Sequence, residues 1–343
     1  MGMTSINLGF IQNTIKMKKI SFSILLISFL FFCCKKESTH VIRKTTGKVN
    51  NISVIIDDQQ WNGEIGDSIR NKFASPVIGL PQEEPLFTIN QYPLKLMEGF
   101  MTDSRNIIIV KKGKKNNFVI KKDQYAAPQN VFHISGNTSD DILSIFEKNS
   151  PQIIEIIRQT EIEECQRINK KVLLDPRIIT NKFHITLDVP SDYEYMVQES
   201  DFIWLKKELV SGNTSLLLYQ VPINAIKNKD NLVSNIIKMR DSVGALYIHG
   251  KEPNTDMITE EAYSPYFFKI KLDGKVAYEM KGTWELRNDF MSGPFINYAI
   301  LDKENDRVLF LEGFCYSPSK EKRDLMHQLE SIIKSVSILK KEL

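Results

Sequence analysis

Histidine, cysteine and every familiar catalytic signature are scarce in this chain. Its 343 residues include five histidines and four cysteines. His40, His133, His184, His249 and His327 never fall two to four residues apart, so a zinc site would need ligands gathered from distant segments. There is no Gly-x-Ser-x-Gly elbow, no His-Glu-x-x-His and no Gly-x-x-x-x-Gly-Lys loop. The sequence therefore names no catalytic residue, no metal and no cofactor. Net charge is also small. The formal value is +3, and residues 1–33 carry Lys16, Lys18 and Lys19 with no acid or arginine, so the remainder sums to 3 − 3 = 0. A neutral body lacks the electrostatic footprint of nucleic-acid binding. With 42% hydrophobic, 25% charged and 10% aromatic residues, the composition excludes disorder, collagen and coiled coil and fits a globular protein.

What is present begins with an address. Ile20 to Phe32 is apolar apart from serines and follows Lys18 and Lys19. The run is too short to span a bilayer of about 30 Å as a stable helix, and it has the plan of an export signal. Met17 is the more natural start, because residues 1–16 add nothing to that plan. The run ends at Phe31-Phe32-Cys33-Cys34, resembling a bacterial lipoprotein signal in which a cysteine after the apolar core receives diacylglycerol. The residue before that cysteine must be small, which favours Cys34 and leaves Cys33 as second choice. Acyl chains at about 0.8 kcal/mol per buried methylene make a firm anchor. Residues 1–33 are thus expected to be a lipoprotein signal and 34–50 a polar tether, with the protein on the periplasmic face of the outer membrane and surface exposure left open.

The body divides near residue 175, into 51–175 and 176–343. The first part reads as a strand at Ile52–Ile56, a helix around Ile69–Phe73 and a short strand at Leu86–Asn90. A hairpin follows, with Asn106–Val110 and Asn117–Lys121 turning on Lys-Lys-Gly-Lys-Lys at 111–115. Ser139 with Asp140 and Asp141 is expected to cap one helix, and Pro151 to open a second that runs to about Val172. In the second part, the alternation Phe183, Ile185, Leu187, Val189 reads as a half-buried strand. Strands at 202–208 and 216–221 and a helix over 232–243 follow. Asp273-Gly274 is a strong hairpin signal, and two more strands, 295–301 and 307–314, precede a final helix capped by Ser319. The fold class is α+β: antiparallel sheets with helices packed on one side. A rough echo of Arg70 and Glu83-Glu84-Pro85 in Arg240, Glu260-Glu261 and Pro265 raises the prospect of two similar halves. Cys165 and Cys315 are expected to be buried free thiols, although export permits their pairing.

Candidate chemistry is thin. Asp57 and Asp58 end a buried strand, where carboxylates can activate water. Glu83-Glu84 and Glu260-Glu261 look like solvated loop acids, and the lysines at 111–122 like a soluble sheet edge. Aromatics beside breakers, at Tyr263-Ser-Pro-Tyr-Phe-Phe and Gly282-Thr-Trp284, suggest a recognition surface. Trp61, Arg70, Glu260, Glu261, Tyr263 and Trp284 are the candidate binding residues.

Long stretches resemble one family. They include Trp61-Asn-Gly-Glu-Ile-Gly-Asp-Ser-Ile-Arg70, Gly79-Leu-Pro-Gln-Glu-Glu-Pro-Leu-Phe87, Met239-Arg-Asp-Ser-Val-Gly244, Met257-Ile-Thr-Glu-Glu-Ala-Tyr-Ser-Pro265, Lys281-Gly-Thr-Trp-Glu285, Gly293-Pro-Phe-Ile-Asn-Tyr298 and Leu311-Glu-Gly-Phe314. Over residues 45–340 the chain is similar to Bacteroidota lipoproteins catalogued only as a domain of unknown function. The resemblance implies an anchor and a lineage but brings no activity. The first expectation is a lipid-anchored, non-catalytic envelope protein that touches the membrane through its lipid and binds an envelope protein, glycan or lipid. The second is a periplasmic hydrolase using scattered carboxylates (Asp57, Asp58, Glu260, Glu261). Metabolic labelling with an alkynyl palmitate should mark the wild type and not Cys34→Ala; equal labelling of both would remove the anchor from this reading.

Overall fold

The computed structural model describes residues 42–226 and 231–340. The export signal, Cys33, Cys34 and the start of the tether lie outside the described residues. The rest of the expected tether is folded in. Arg43–Lys44 pairs with Ala126–Ala127, and Thr46 N–H donates to the Asp103 carbonyl.

Two sheets organise the protein. The first is built from Asn51–Ile55 (β1), Thr88–Tyr92 (β2), Asn106–Lys112 (β3), Asn117–Lys122 (β4) and Asn130–Gly136 (β5), in the order β2-β1-β3-β5-β4. Every neighbouring pair is parallel except β5 and β4. The helices Glu64–Phe73 (α1) and Ser139–Asn169 (α2) cover one face, where Ile69, Phe73, Ile142, Phe146 and Ile157 pack on Ile52, Val54, Ile108 and Phe132. The other face buries Ile55, Ile107, Ile109 and Val131 beneath Leu94, Met97 and Tyr125. Strands covered on both faces are apolar at successive positions rather than alternate ones, as β3 is over Ile107–Val110.

This arrangement corrects several expectations. The sheet of the first half is largely parallel. The two strands around the Lys-Lys-Gly-Lys-Lys loop do not form a hairpin, because β5 lies between them. With Val131, Phe132 and Ile134 all buried, β5 needs a neighbour on each edge, whereas β4, tipped with exposed lysines, suits the outside. The two helices expected on either side of Pro151 are one, α2, capped by Thr138 in a capping box with Asp141. Proline at 151 cannot donate to the Glu147 carbonyl, and the Ser150 hydroxyl donates to it instead at 3.3 Å.

The second sheet contains Glu194–Gln198 (β6), Phe202–Leu209 (β7), Gly212–Pro222 (β8), Met257–Thr259 (β9), Tyr266–Leu272 (β10), Lys275–Leu286 (β11), Ser292–Asp302 (β12) and Arg307–Tyr316 (β13). Its order is β9-β11-β12-β13-β8-β7-β6, with β10 also paired to β11, and every pairing is antiparallel. The β10–β11 turn is the expected one: Asp273 (φ 48°) and Gly274 (φ 71°) both take positive φ, as a two-residue hairpin of this hand requires. Helices Arg177–Phe183 (α3) and Arg323–Ile333 (α5) pack on one face through Ile179, Phe183, Leu329, Ile332 and Ile333. Leu232–Tyr247 (α4) packs on the other through Ile236. The longer α-helices are therefore confined to one side in the first sheet and cover both sides of the second. Phe183, Ile185, Leu187 and Val189 are all buried, but only Ile185–Thr186 is strand; Phe183 ends α3 and His184 turns the chain at φ 50°.

The molecule is α+β, and its halves do not repeat one unit. Arg70 and Arg240 show the difference. Arg70 is partly exposed over the Trp61 ring, whereas Arg240 is buried, ion-paired to Glu312 at 3.0 Å and stacked on Phe295 at 3.9 Å. Cys165 and Cys315 are free and buried. Burial pushes both thiols up to about 12, so neither is a ready nucleophile.

The sheets meet through α2 and α5. Gln166 Nε2 donates to the Ser331 carbonyl at 3.1 Å, and Asn50 Nδ2 to Asp324 Oδ1 at 2.9 Å. The strongest link is Glu84. Instead of being a solvated loop acid it is buried, and it accepts hydrogen bonds from the backbone N–H groups of Lys322 and Arg323, both at 2.7 Å. It thus caps α5 from the other half, whereas the expected cap, Ser319, donates to Ser211 Oγ. Glu84→Ala should lower the free energy of unfolding by about 2 kcal/mol, the upper end for loss of a helix cap. Urea denaturation measures it, and an unchanged midpoint would refute the capping role.

Candidate functional site

A cavity of about 220 Å³ opens between the halves. Its first wall is the segment from Pro76 to Phe87, which leaves α1 and crosses to the second sheet. Gly79 makes the crossing possible. Its φ is +80°, and a Cβ there would lie 2.9 Å from Lys281 Cβ. Lys281 on β11, Pro294 to Ile296 on β12, and Arg323, Met326, His327 and Glu330 on α5 form the opposite wall, and Arg158 of α2 stands at the end. Val77, Leu80, Leu86, Phe87, Ile296 and Met326 make most of the interior apolar.

The polar end is a tight charge cluster. The Glu330 carboxylate has Lys334 Nζ at 2.6 Å, Lys281 Nζ at 3.5 Å and Arg158 Nη2 at 3.8 Å. Tyr298 Oη, buried beneath it, donates to Glu279 at 2.8 Å and more weakly to Glu330 at 3.3 Å. Burial alone would raise the Glu330 carboxyl, but the three cations outweigh it and hold the group far below the usual carboxylate range. His327 is the reverse case. Burial depresses its imidazole against the pull of Glu330, so the ring is neutral, hydrogen-bonded to the Glu161 backbone and without a partner at Nε2. Arg158, His327 and Glu330 also line a second, more open hollow that continues past Glu155, Gln159 and Lys334.

A separate hollow of about 560 Å³ lies at the carboxyl ends of the parallel strands. It is lined by Asp57, Asp58, Gln60, Glu64, Lys95, Lys112 and Ser139. Open parallel sheets bind ligands at this edge. Asp58 accepts from Gln91 Nε2 at 3.2 Å, and neither atom of the buried Gln60 amide has a hydrogen-bond partner.

The candidate residues read from the sequence are not gathered into one site. Asp57 and Asp58 share the strand-end hollow, whereas Glu260, Glu261 and Tyr263 lie on the loop between β9 and β10 in the other sheet; none of these cavities is lined by both groups. Glu260 N–H donates to the Thr283 carbonyl, and Tyr263 is 75% exposed. Trp61 and Arg70 hold each other, with the guanidinium 4.5 Å above the indole and hydrogen-bonded to the Trp61 carbonyl at 3.2 Å. Trp284 is a correction. It is 2% exposed, its indole N–H donates to the Cys315 carbonyl, and it packs edge-on against Phe314, so it is core rather than recognition surface. His133 sits on β5 with Nε2 2.6 Å from Gln124; His184, expected on a strand, ends a helix. Among the described residues no group of three or more His, Cys, Asp or Glu could hold a metal ion.

Arg158, Lys281, His327 and Glu330 escaped the sequence reading. One signal was present: His327, Glu330 and Lys334 step by three and four along the last helix and so share one face.

Two family models match the chain, each described as a domain of unknown function: residues 45–170 match DUF8532 and residues 173–335 match DUF4837. Together the two matches span most of residues 45–335. The matches meet where α2 gives way to α3, so the cavity draws its walls from both. No curated protein matches the chain.

The charge cluster generates a pH dependence. A carboxyl held low in the fold contributes stability above its unfolded value of about 4.3, and that contribution fades as pH falls towards the folded value. Glu330→Gln should therefore destabilise the protein most at neutral pH, with the penalty shrinking below about pH 4. Urea unfolding of both proteins at pH 7, 5 and 3 tests this, and an equal penalty at pH 7 and 3 would contradict it.

Proposed function

We propose that this is a lipid-anchored envelope protein that binds a small ligand in the cleft between its two domains and does not transform it. The anchor is Cys34, and the folded part faces the periplasm from the outer membrane. The apolar run ending at Phe32-Cys33-Cys34 supports the anchor. One observation carries the binding role: a cavity with apolar walls from both domains and a few convergent charged groups at one end, which is the usual composition of a small-molecule site. Arg158, Lys281 and Glu330 would orient the ligand, and its body would lie along Val77, Leu86 and Met326.

The second reading is a hydrolase. It is favoured by Asp57 and Asp58 sharing one hollow at the carboxyl edge of the parallel strands. The cleft is the better site, because its interior is apolar and its charged groups converge at one end.

The binding reading is tested with the lipoprotein in nanodiscs, exposed to a small-molecule extract of the envelope, washed, and examined by mass spectrometry. The wild type should retain a compound that Val77→Trp, which fills the cavity, does not. Retention by neither protein, or equally by both, would dismiss the cleft.

A further inference from the structure

One cation of the cleft has no hydrogen-bonded acid among the described residues. Three cations line the cleft, Arg158, Lys281 and Arg323, against one carboxylate, Glu330; His327 adds none, since burial keeps it neutral. Two of the cations are committed. Lys281 is 2.9 Å from Glu279 and 3.5 Å from Glu330. Arg323 donates to Asp324 at 2.8 Å, to the Pro85 carbonyl at 3.0 Å and to Thr88 Oγ1 at 3.2 Å. Arg158 differs. Its nearest acid is Glu330 at 3.8 Å, beyond hydrogen-bond reach, and its side chain is 46% exposed at the junction of the two hollows. A guanidinium with its N–H fork unspent beside an apolar chamber matches the two oxygens of a carboxylate.

We infer that the ligand class is a monoanionic amphiphile, an alkyl or aryl chain ending in a carboxylate, with the carboxylate held by Arg158 and the chain lying among Val77, Leu80, Leu86, Ile296 and Met326. This rests on the cleft being the ligand site. An ammonium head would meet the like charge of Arg158. A hydroxyl head would accept from Arg158 without charge or a second oxygen and gain mainly from the apolar walls.

Three probes of equal body separate these cases: 3-phenylpropionate, 3-phenylpropanol and 3-phenylpropylammonium, titrated calorimetrically into the full lipoprotein in nanodiscs with empty nanodiscs as blank. The carboxylate should bind about tenfold more tightly than the alcohol, the margin expected of a charge-assisted hydrogen bond at a partly exposed site, and the ammonium least. Arg158→Gln should remove the carboxylate's advantage and weaken the alcohol far less than the carboxylate; because Arg158 is half exposed, this variant should fold. If the alcohol or the ammonium binds as tightly as the carboxylate, the head-group assignment is wrong while the cleft remains a site. If none of the three binds, the cleft assignment falls with it.

Discussion

A single carboxylate from the first half of the chain holds the first turn of the second half's last helix. The leading N–H groups of a helix have no partner within it, and Glu84 supplies acceptors for two of those in α5 from a segment more than two hundred residues earlier. The negative charge also suits the positive end of the helix dipole. With that end fixed, the face of α5 carrying Arg323, His327 and Glu330 is aimed at the gap between the sheets. The same bonds draw the Pro76–Phe87 segment across to β11, where Gly79 lets the two backbones meet. The cleft is thus a by-product of the way α5 is capped.

Two buried ion pairs fix the surroundings. Glu161, fully buried, accepts from Arg105, from Asn106 and from the Asn50 backbone, joining α2 to the entry and the third strand of the first sheet. Arg240 and Glu312 do the same for α4 and β13. Pairs of this kind add little net stability, because desolvation offsets the attraction, but a shifted register would strand a buried charge. They specify the packing that the apolar cores alone would leave looser.

The legible parts of the sequence were those set by near neighbours. The Asp273-Gly274 hairpin, the final helix and the 3.6-residue stripe of α2 follow from local chemistry, and all are present. The parallel sheet was signalled by the unbroken run Ile107–Val110, since a strand with one wet face would alternate. Which strand sits beside which was not signalled, because pairing of β5 depends on burial from both sides. The cleft was harder still. Glu84, Arg158, Lys281 and Glu330 are unremarkable acids and bases along the chain, and each acquires its role from a residue in another element. Trp284 misled for the same reason: an aromatic beside glycine reads as a loop anchor, and only the sheet shows that Gly293 leaves room for its indole.

The placement of β5 has a consequence for synthesis. Strands β3 and β4 emerge first, joined by a short glycine-containing connection and oriented antiparallel, as a hairpin needs. The finished sheet requires them to stand one strand apart, leaving a gap for a segment made afterwards. A local hairpin between them has the lower loop-closure cost and so competes with the final pairing, and the first sheet cannot close until residue 136 is available.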